Sequence, residues 1–310
     1  MRETGATMAR TDVVVGTDGT PTGADAVQWA AREAQRRGVL LRIVHAFDWD
    51  YETIRPDCAA THVDVTRQLA DAVTEAALRQ ARDAAPEAAL EADALIGAAA
   101  EHLIELSETV ALVVVGTRSR SGWAGFTRGS VSRRVAVHAA CPVVVIRGDR
   151  RDGPVVAGVD TSAHAEAVLR AGYEAAARCS TGLQILRSVV PTASWIGAAP
   201  AEADAEQDRL DHLLTPWRDE FPRVPTTTAL LNLPAAEALE AASHRARLIV
   251  VGGHRRRALT GTLLGATGRH LVHHSDCPVL IIPSRWPQQA VSPMRDLRPS
   301  RGDVRGRMLA

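Results

Sequence analysis

Apolar residues in this chain fall into two textures. The first is the short unbroken run, such as Val13–Val15, Leu112–Val115 and Val143–Ile146, greasy on consecutive positions. A run of that kind is apolar on both faces, as a parallel strand covered by helices on each side must be. The second texture is an alanine-rich stretch of helical length. The two alternate, which is the pattern of βαβ units around a parallel sheet. Strands are predicted near residues 12–16, 40–46, 89–95, 111–116 and 143–147, and again near 154–159, 183–189, 226–231, 247–252 and 279–283. In the first half, helices are predicted near 21–37, 65–85, 98–108 and 130–139.

The same text is written twice. "VVVGTDGT" (Val13–Thr20) returns as "VVAGVDTS" (Val155–Ser162), with Asp18 and Asp160 in register at an offset of 142. "VVVG" before Thr117 returns as "IVVG" before Gly253, and "CPVVVI" at Cys141 returns as "CPVLII" at Cys277, both at an offset of 136. Two homologous domains account for this, the net six-residue difference falling in the middle of each unit, where loops vary. The expected fold class is α/β, two tandem doubly wound domains with five-stranded parallel sheets. The expected segments are an N-terminal extension (1–10), a first domain (11–149), a second domain (153–283) and a basic tail (284–310).

Pro142 and Pro278 open the last strand of each half. Lacking an amide donor, proline suits a strand's first position or an edge. An edge as apolar as "VVVI" or "VLII" invites a partner. The two last strands are therefore expected to pair with each other, giving an internal pseudo-dimer within one chain.

Composition changes this picture only by exclusion. A 46% hydrophobic chain of 310 residues with zero formal net charge is globular and has no global attraction for nucleic acid. It contains no lysine, which removes a lysine-based phosphate loop and Schiff-base chemistry. The tail after Pro283 carries six arginines against two aspartates and reads as a solvated segment. No CxxC spacing relates Cys58, Cys141, Cys179 and Cys277, no signal peptide is recognisable, and no apolar stretch reaches membrane-spanning length. A cytoplasmic location is expected.

Ligands of open parallel sheets sit beyond the carboxyl ends of the strands. Two loops of the first half end there. One follows the first strand, where Asp18 precedes threonines able to cap a helix. The other runs from Gly116 to Gly129-Ser130, where glycine amides and a helix start can meet an anion. Arg118, Arg120 and Arg128 in that loop read either as phosphate partners or as solvated charges. The histidines His270, His273 and His274 beside Asp276 read as cations at a helix end, not as metal ligands. Cys141 and Cys277 read as packed thiols, Trp123 and Phe126 as a hydrophobic lid, and Ala31–Arg37 ("AREAQRR") simply as a good helix former.

These landmarks, in order, resemble the universal stress protein family in a tandem form spanning residues 10–283. The resemblance implies strand order 3-2-1-4-5 in each domain, an adenine nucleotide alpha hydrolase-like arrangement, and pairing through strand five. In one subclass it also implies ATP, with Mg2+ as a companion ion, held by a motif of glycine, two residues, glycine, nine residues, glycine, and serine or threonine. On that motif Gly116, Gly129 and Ser130 match with spacing intact, and Ser119 stands where the second glycine is expected. A left-handed backbone there would cost a serine about 1–2 kcal/mol. Asp18 matches the aspartate near adenine and Ala46 the backbone adenine contact, with Thr17 and Val131 as neighbours in the site. In the second half Gly252 and Gly265 are kept, Arg255 replaces the second glycine, Ala266 the hydroxyl, and Thr267 follows it; Asp160 and Ser188 repeat Asp18 and Ala46. Arg255 could hold phosphate by its forked side chain instead.

Three functions follow as expectations: an ATP-binding regulatory protein acting mainly through its first domain, a slow ATP hydrolase for which no general base is evident, and a nucleotide-free scaffold. Association of two chains is expected from the resemblance, with no membrane and no specific nucleic acid as partner.

Overall fold

Ten strands form one sheet in the order β3-β2-β1-β4-β5-β10-β9-β6-β7-β8. The structure, a computed structural model, describes residues 10–47, 59–117, 131–149, 151–189, 200–253, 264–284 and 286. The first half supplies β1 (Val13–Gly16), β2 (Leu41–Phe47), β3 (Leu90–Ile96), β4 (Leu112–Gly116) and β5 (Val143–Ile146). The second supplies β6 (Val155–Gly158), β7 (Leu183–Ser188), β8 (Thr226–Leu231), β9 (Leu248–Gly253) and β10 (Val279–Pro283). Each half thus has the order 3-2-1-4-5 with parallel neighbours, as expected.

The halves join where β5 and β10 run antiparallel, with Leu280 opposite Val144. Those two positions are equivalent under the 136-residue offset, so their pairing marks a pseudo-two-fold axis through the sheet. All four residues of β5 are buried, and the edge that would have been exposed is consumed inside the chain. The free edges of the sheet are β3 and β8.

Helices cover both faces. On one face α1 (Pro21–Arg37), α2 (Ala59–Ala84), α5 (Ala165–Arg178) and α6 (Pro200–Glu220) pack on Val13, Val15, Val155 and Ala157. On the other, α3 (Ala99–Leu106), α4 (Val131–His138), α7 (Ala235–Ser243) and α8 (Ala266–His274) pack on Val14, Val113, Val156 and Ile249. Alternation along each strand sends successive side chains to opposite cores. This is why the strands read as unbroken apolar runs.

Local sequence sets the helix limits. Thr20 caps α1 through its hydroxyl, Pro21 occupies the first turn, and Gly38 ends the helix in the left-handed region at φ 65°. Fully buried alanines at 26, 30, 31 and 34 let α1 lie close to the sheet. α2 begins at Ala59, six residues before the predicted start, its first turns being too mixed in polarity to show a period. Cys141 and Cys277 are fully buried, and burial pushes their thiols up to about 12 and about 11. Neither is poised as a nucleophile at neutral pH. Among the described residues no helix is long and apolar enough to cross a membrane.

Candidate functional site

Chain direction places the carboxyl ends of β1, β2 and β4 together on one rim of the sheet, and a cleft of about 150 Å³ opens there. Its far wall is apolar, built from Val44 and Ala46 of β2, Leu103 of α3 and Val115 of β4. Its near wall is polar, with Thr17 and Asp18 after β1, Thr22 in the first turn of α1, Thr117 after β4 and Ser132 in the first turn of α4.

The loop after β1 is tied down by its own side chains. Asp18 Oδ1 accepts from the Thr20 amide at 3.1 Å and the Thr20 hydroxyl at 2.6 Å. The Thr20 hydroxyl in turn accepts from the Gly23 amide at 3.3 Å, capping α1. The Thr17 amide extends the β1–β2 ladder to the Val44 carbonyl at 3.0 Å, and His45 Nδ1 donates to the Thr17 carbonyl at 2.9 Å. Asp18 is thus held at the mouth of the cleft by turn chemistry.

Three glycines keep the cleft floor low. A methyl group on Gly16 would lie 2.7 Å from Leu103 Cδ1, one on Gly23 would lie 2.8 Å from Asp18 Oδ1, and one on Gly116 would lie 2.6 Å from the Thr22 carbonyl oxygen. β4 therefore ends directly against the first turn of α1. Gly116, read from the sequence as the opening of an anion loop, has a packing reason as well.

Of the residues expected at the first site, Thr17, Asp18, Ala46, Gly116 and Val131 line this one cleft. Ser119, Gly129 and Ser130, with Arg118, Arg120 and Arg128, lie outside the described residues. Sequence reasoning missed Thr22, Gly23, Leu103 and Ser132. Gly23 carried a signal, since a glycine in the first turn of an alanine-rich helix is costly unless something approaches closely.

The second half repeats the cleft at about 120 Å³, lined by Asp160, Ser188, Gly252 and Thr267 among others. Asp160 Oδ1 accepts from the Ser162 amide at 2.9 Å and its hydroxyl at 2.6 Å, reproducing the Asp18 turn. Gly265 precedes the first residue of α8, Ala266, and neither lines the cleft. Arg255 lies outside the described residues. The Ser188 hydroxyl is spent on the Leu233 carbonyl at 2.5 Å.

One exchange separates the two clefts. In the first half, the carbonyl of Ile146 accepts from the Thr117 amide and hydroxyl, both at 3.2 Å. In the second half Gly253 stands in place of Thr117 and brings no hydroxyl, and the equivalent carbonyl, of Ile282, accepts from Nε2 of His164 at 3.0 Å. The His164 ring crosses the end of β9 and forms part of the cleft wall, its Cδ2 only 2.8 Å from where a Cβ on Gly252 would sit. No sequence signal marked His164, because its partner is 118 residues away.

The histidines of α8 pack on one another, with the rings of His270 and His274 stacked at 4.5 Å. His270 Nε2 meets Glu240 Oε2, while the carboxylate of Asp276 pairs with His244 at 2.6 Å. Among the described residues no group of three His, Cys, Asp or Glu side chains is arranged to hold a metal ion.

Comparison with known proteins agrees with this geometry. A universal stress protein of Mycobacterium bovis is 31% identical over 313 residues, covering 91% of this chain and 97% of its own length. A universal stress protein of Mycobacterium tuberculosis is 29% identical over 283 residues, covering 87% and 95%. The crystal structure of a universal stress protein from Archaeoglobus fulgidus superposes with a TM-score of 0.68 at 16% identity, covering 89% of this chain and 98% of that one, a likeness of fold. The family description "Universal stress protein family" matches residues 10–147 and again 153–283, the two stretches that the repeat, the sheet order and the paired clefts mark out. With both halves matched, the chain belongs to the universal stress protein family, in its tandem two-domain form.

Proposed function

We propose that this protein binds ATP, with Mg2+ as companion ion, in the cleft of its first half and acts in the stress response as a nucleotide-dependent regulatory protein. The observation that carries the reading is the convergence of Asp18, Ala46, Gly116 and Val131 on one cleft at the carboxyl rim of β1, β2 and β4. The apolar wall of Val44, Ala46 and Leu103 suits a purine face. The start of α4 at Val131 offers free amides and the positive end of a helix dipole to phosphate, which compensates for the missing lysine. On the family motif, Gly129 and Ser130 would contribute amides and a hydroxyl to the phosphates.

The second cleft is the weaker nucleotide site in this reading. His164 forms part of its wall, and Ser188 has already committed its hydroxyl. Hydrolysis has no support in the cleft, since Asp18 is occupied in its turn and no second acid or base faces it among the described residues. β5 and β10 are used up within the chain, so association of two chains, if it occurs in the cytoplasm, would use another surface.

Calorimetric titration of the full chain with ATP and Mg2+ tests the proposal. One site per chain is expected, and Gly129→Glu should abolish it by placing a carboxylate against the phosphates. No measurable heat at millimolar ATP, or undiminished binding in Gly129→Glu, would sink the reading.

A further inference from the structure

A third cavity, of about 190 Å³, lies at the seam between the halves, away from both clefts. Val144 and Ile146 of β5 and Leu248 and Leu280 of the second half form its apolar floor, and α1 and α5 flank it. Five arginines and three carboxylates line it, and two of those carboxylates, Asp25 and Asp149, are solvent-exposed.

The third carboxylate, Glu33, is 4% exposed and carries three guanidiniums at once. Arg36 reaches it at 2.8 Å, Arg37 at 2.7 Å, and Arg178 of the other half at 3.2 Å. Glu174, on the same helix as Arg178, adds a looser contact to it at 3.7 Å, so two carboxylates face three guanidiniums. Burial lowers the pKa of Arg178 first and the charge of Arg37 next, with Glu33 and then Glu174 opposing both. On the same cavity, Arg247 bonds Asp152 through Nη2 at 2.9 Å, while its Nε is buried with no hydrogen-bond partner among the described residues.

The pseudo-symmetry explains why the charge is uneven. Arg36 and Arg178 are equivalent under the 142-residue offset, so both halves bring an arginine to the axis. The equivalent of Glu33 is Ala175, so the buried carboxylate at the centre comes from one half alone, while the second half brings Glu174, which among the described residues meets only Arg178. With five arginines against three carboxylates on its lining, the cavity is a partly desolvated, cation-rich pocket in which an anion is held more strongly than at an open surface.

We infer that this seam is a binding site for a small phosphate-class anion, orthophosphate or pyrophosphate, held by Arg36, Arg178 and Arg247. Arginine forks match phosphate oxygens, and three of them from two domains converge on one cavity. The volume admits such an ion. Because the ligand would touch both halves, its binding stabilises their docking. The inference is independent of ATP binding in the first cleft.

The test is calorimetric titration of the full chain with pyrophosphate, and separately with orthophosphate, at ionic strength matched with sodium chloride. Binding at one site is expected in the unaltered protein and, undiminished, in Gly129→Glu, which disables only the nucleotide cleft. Arg178→Gln and Arg247→Gln should each weaken it at least tenfold. Arg247 lies outside the Glu33 cluster, so its variant reports on the anion without disturbing the ion pairs of Glu33, and it gives up only the contact to the exposed Asp152; circular dichroism and the ligand-free melting temperature confirm that it folds. No binding of either anion to the unaltered protein, affinity retained in Arg247→Gln and Arg178→Gln, or binding lost in Gly129→Glu would each overturn the inference. The anion giving the tighter isotherm identifies which member of the class the seam fits.

Discussion

Gly116 and Gly38 separate two reasons for a glycine. At Gly116 the backbone is ordinary and the space is closed, with the Thr22 carbonyl 2.6 Å from where a methyl would stand. At Gly38 the space is open within 4 Å and the backbone is left-handed, at φ 65°. Gly116→Ala must push the first turn of α1 away from β4, an overpacking cost of about 1–3 kcal/mol, and it deforms the cleft at Thr22 and Asp18. Gly38→Ala costs about 1–2 kcal/mol through its dihedral alone and leaves the cleft untouched. Urea melts of the two variants should both show a lower midpoint, and ATP titration should show weakened binding in Gly116→Ala only. Equal ATP affinity in both would mean that the approach of β4 to α1 does not shape the site. The motif spacing made Gly116 visible in the sequence, but the motif names a ligand and is silent on the carbonyl that also demands a glycine.

At the scale of elements, the helix read from its sequence as a simple alanine-rich scaffold turns out to carry the contact between halves. Glu33 lies in "AREAQRR" on α1, where its i,i+3 and i,i+4 arginines suggest an ordinary solvated face. Folding buries it instead and adds Arg178 from α5. Burial alone would raise its carboxyl, but Arg37, Arg178 and Arg36 together outweigh that and hold it at about 2, against an ordinary 4.5. A carboxyl lowered on folding contributes stability that is complete above its unfolded value and is lost as pH falls through its folded one. The window here runs from about 4.5 down to about 2. The difference corresponds to on the order of 3 kcal/mol. Chemical denaturation at pH 7, 4.5 and 3 should show the unaltered protein losing stability across that window faster than Glu33→Gln, which starts less stable at pH 7. Parallel pH profiles would show that Glu33 is not the carboxyl responsible. The strands, by contrast, were legible to within a residue or so, because burial on both faces writes itself as an unbroken apolar run. Contacts between side chains more than a hundred residues apart, Glu33 with Arg178 and His164 with the Ile282 carbonyl, leave no local pattern to read.

For the whole molecule, the decisive feature is that a sheet of ten strands is closed at its centre by the chain's own repeat. Internal repetition was visible as text, and the apolar, proline-led last strands made their mutual pairing the economical arrangement. The antiparallel register centred on Val144 and Leu280 has that form. It also says what each half needs. Val143 to Ile146 are at most 6% exposed, so removing the second half would uncover an apolar edge with free backbone groups beside the unroofed floor of Val144 and Ile146. Residues 1–149 produced alone should therefore self-associate through β5. The near-symmetry of the seam makes the same antiparallel pairing available, with a second copy of β5 in the place of β10 and a second Arg36 in the place of Arg178. Sedimentation equilibrium should give twice the mass of the segment at micromolar concentration, and Val144→Asp, placing a charge at the centre of the new pair, should return it to a monomer. A well-folded monomer of the unaltered segment would show that the β5 edge does not require a partner, and that the two halves are held together by their helices and ion pairs more than by the sheet they share.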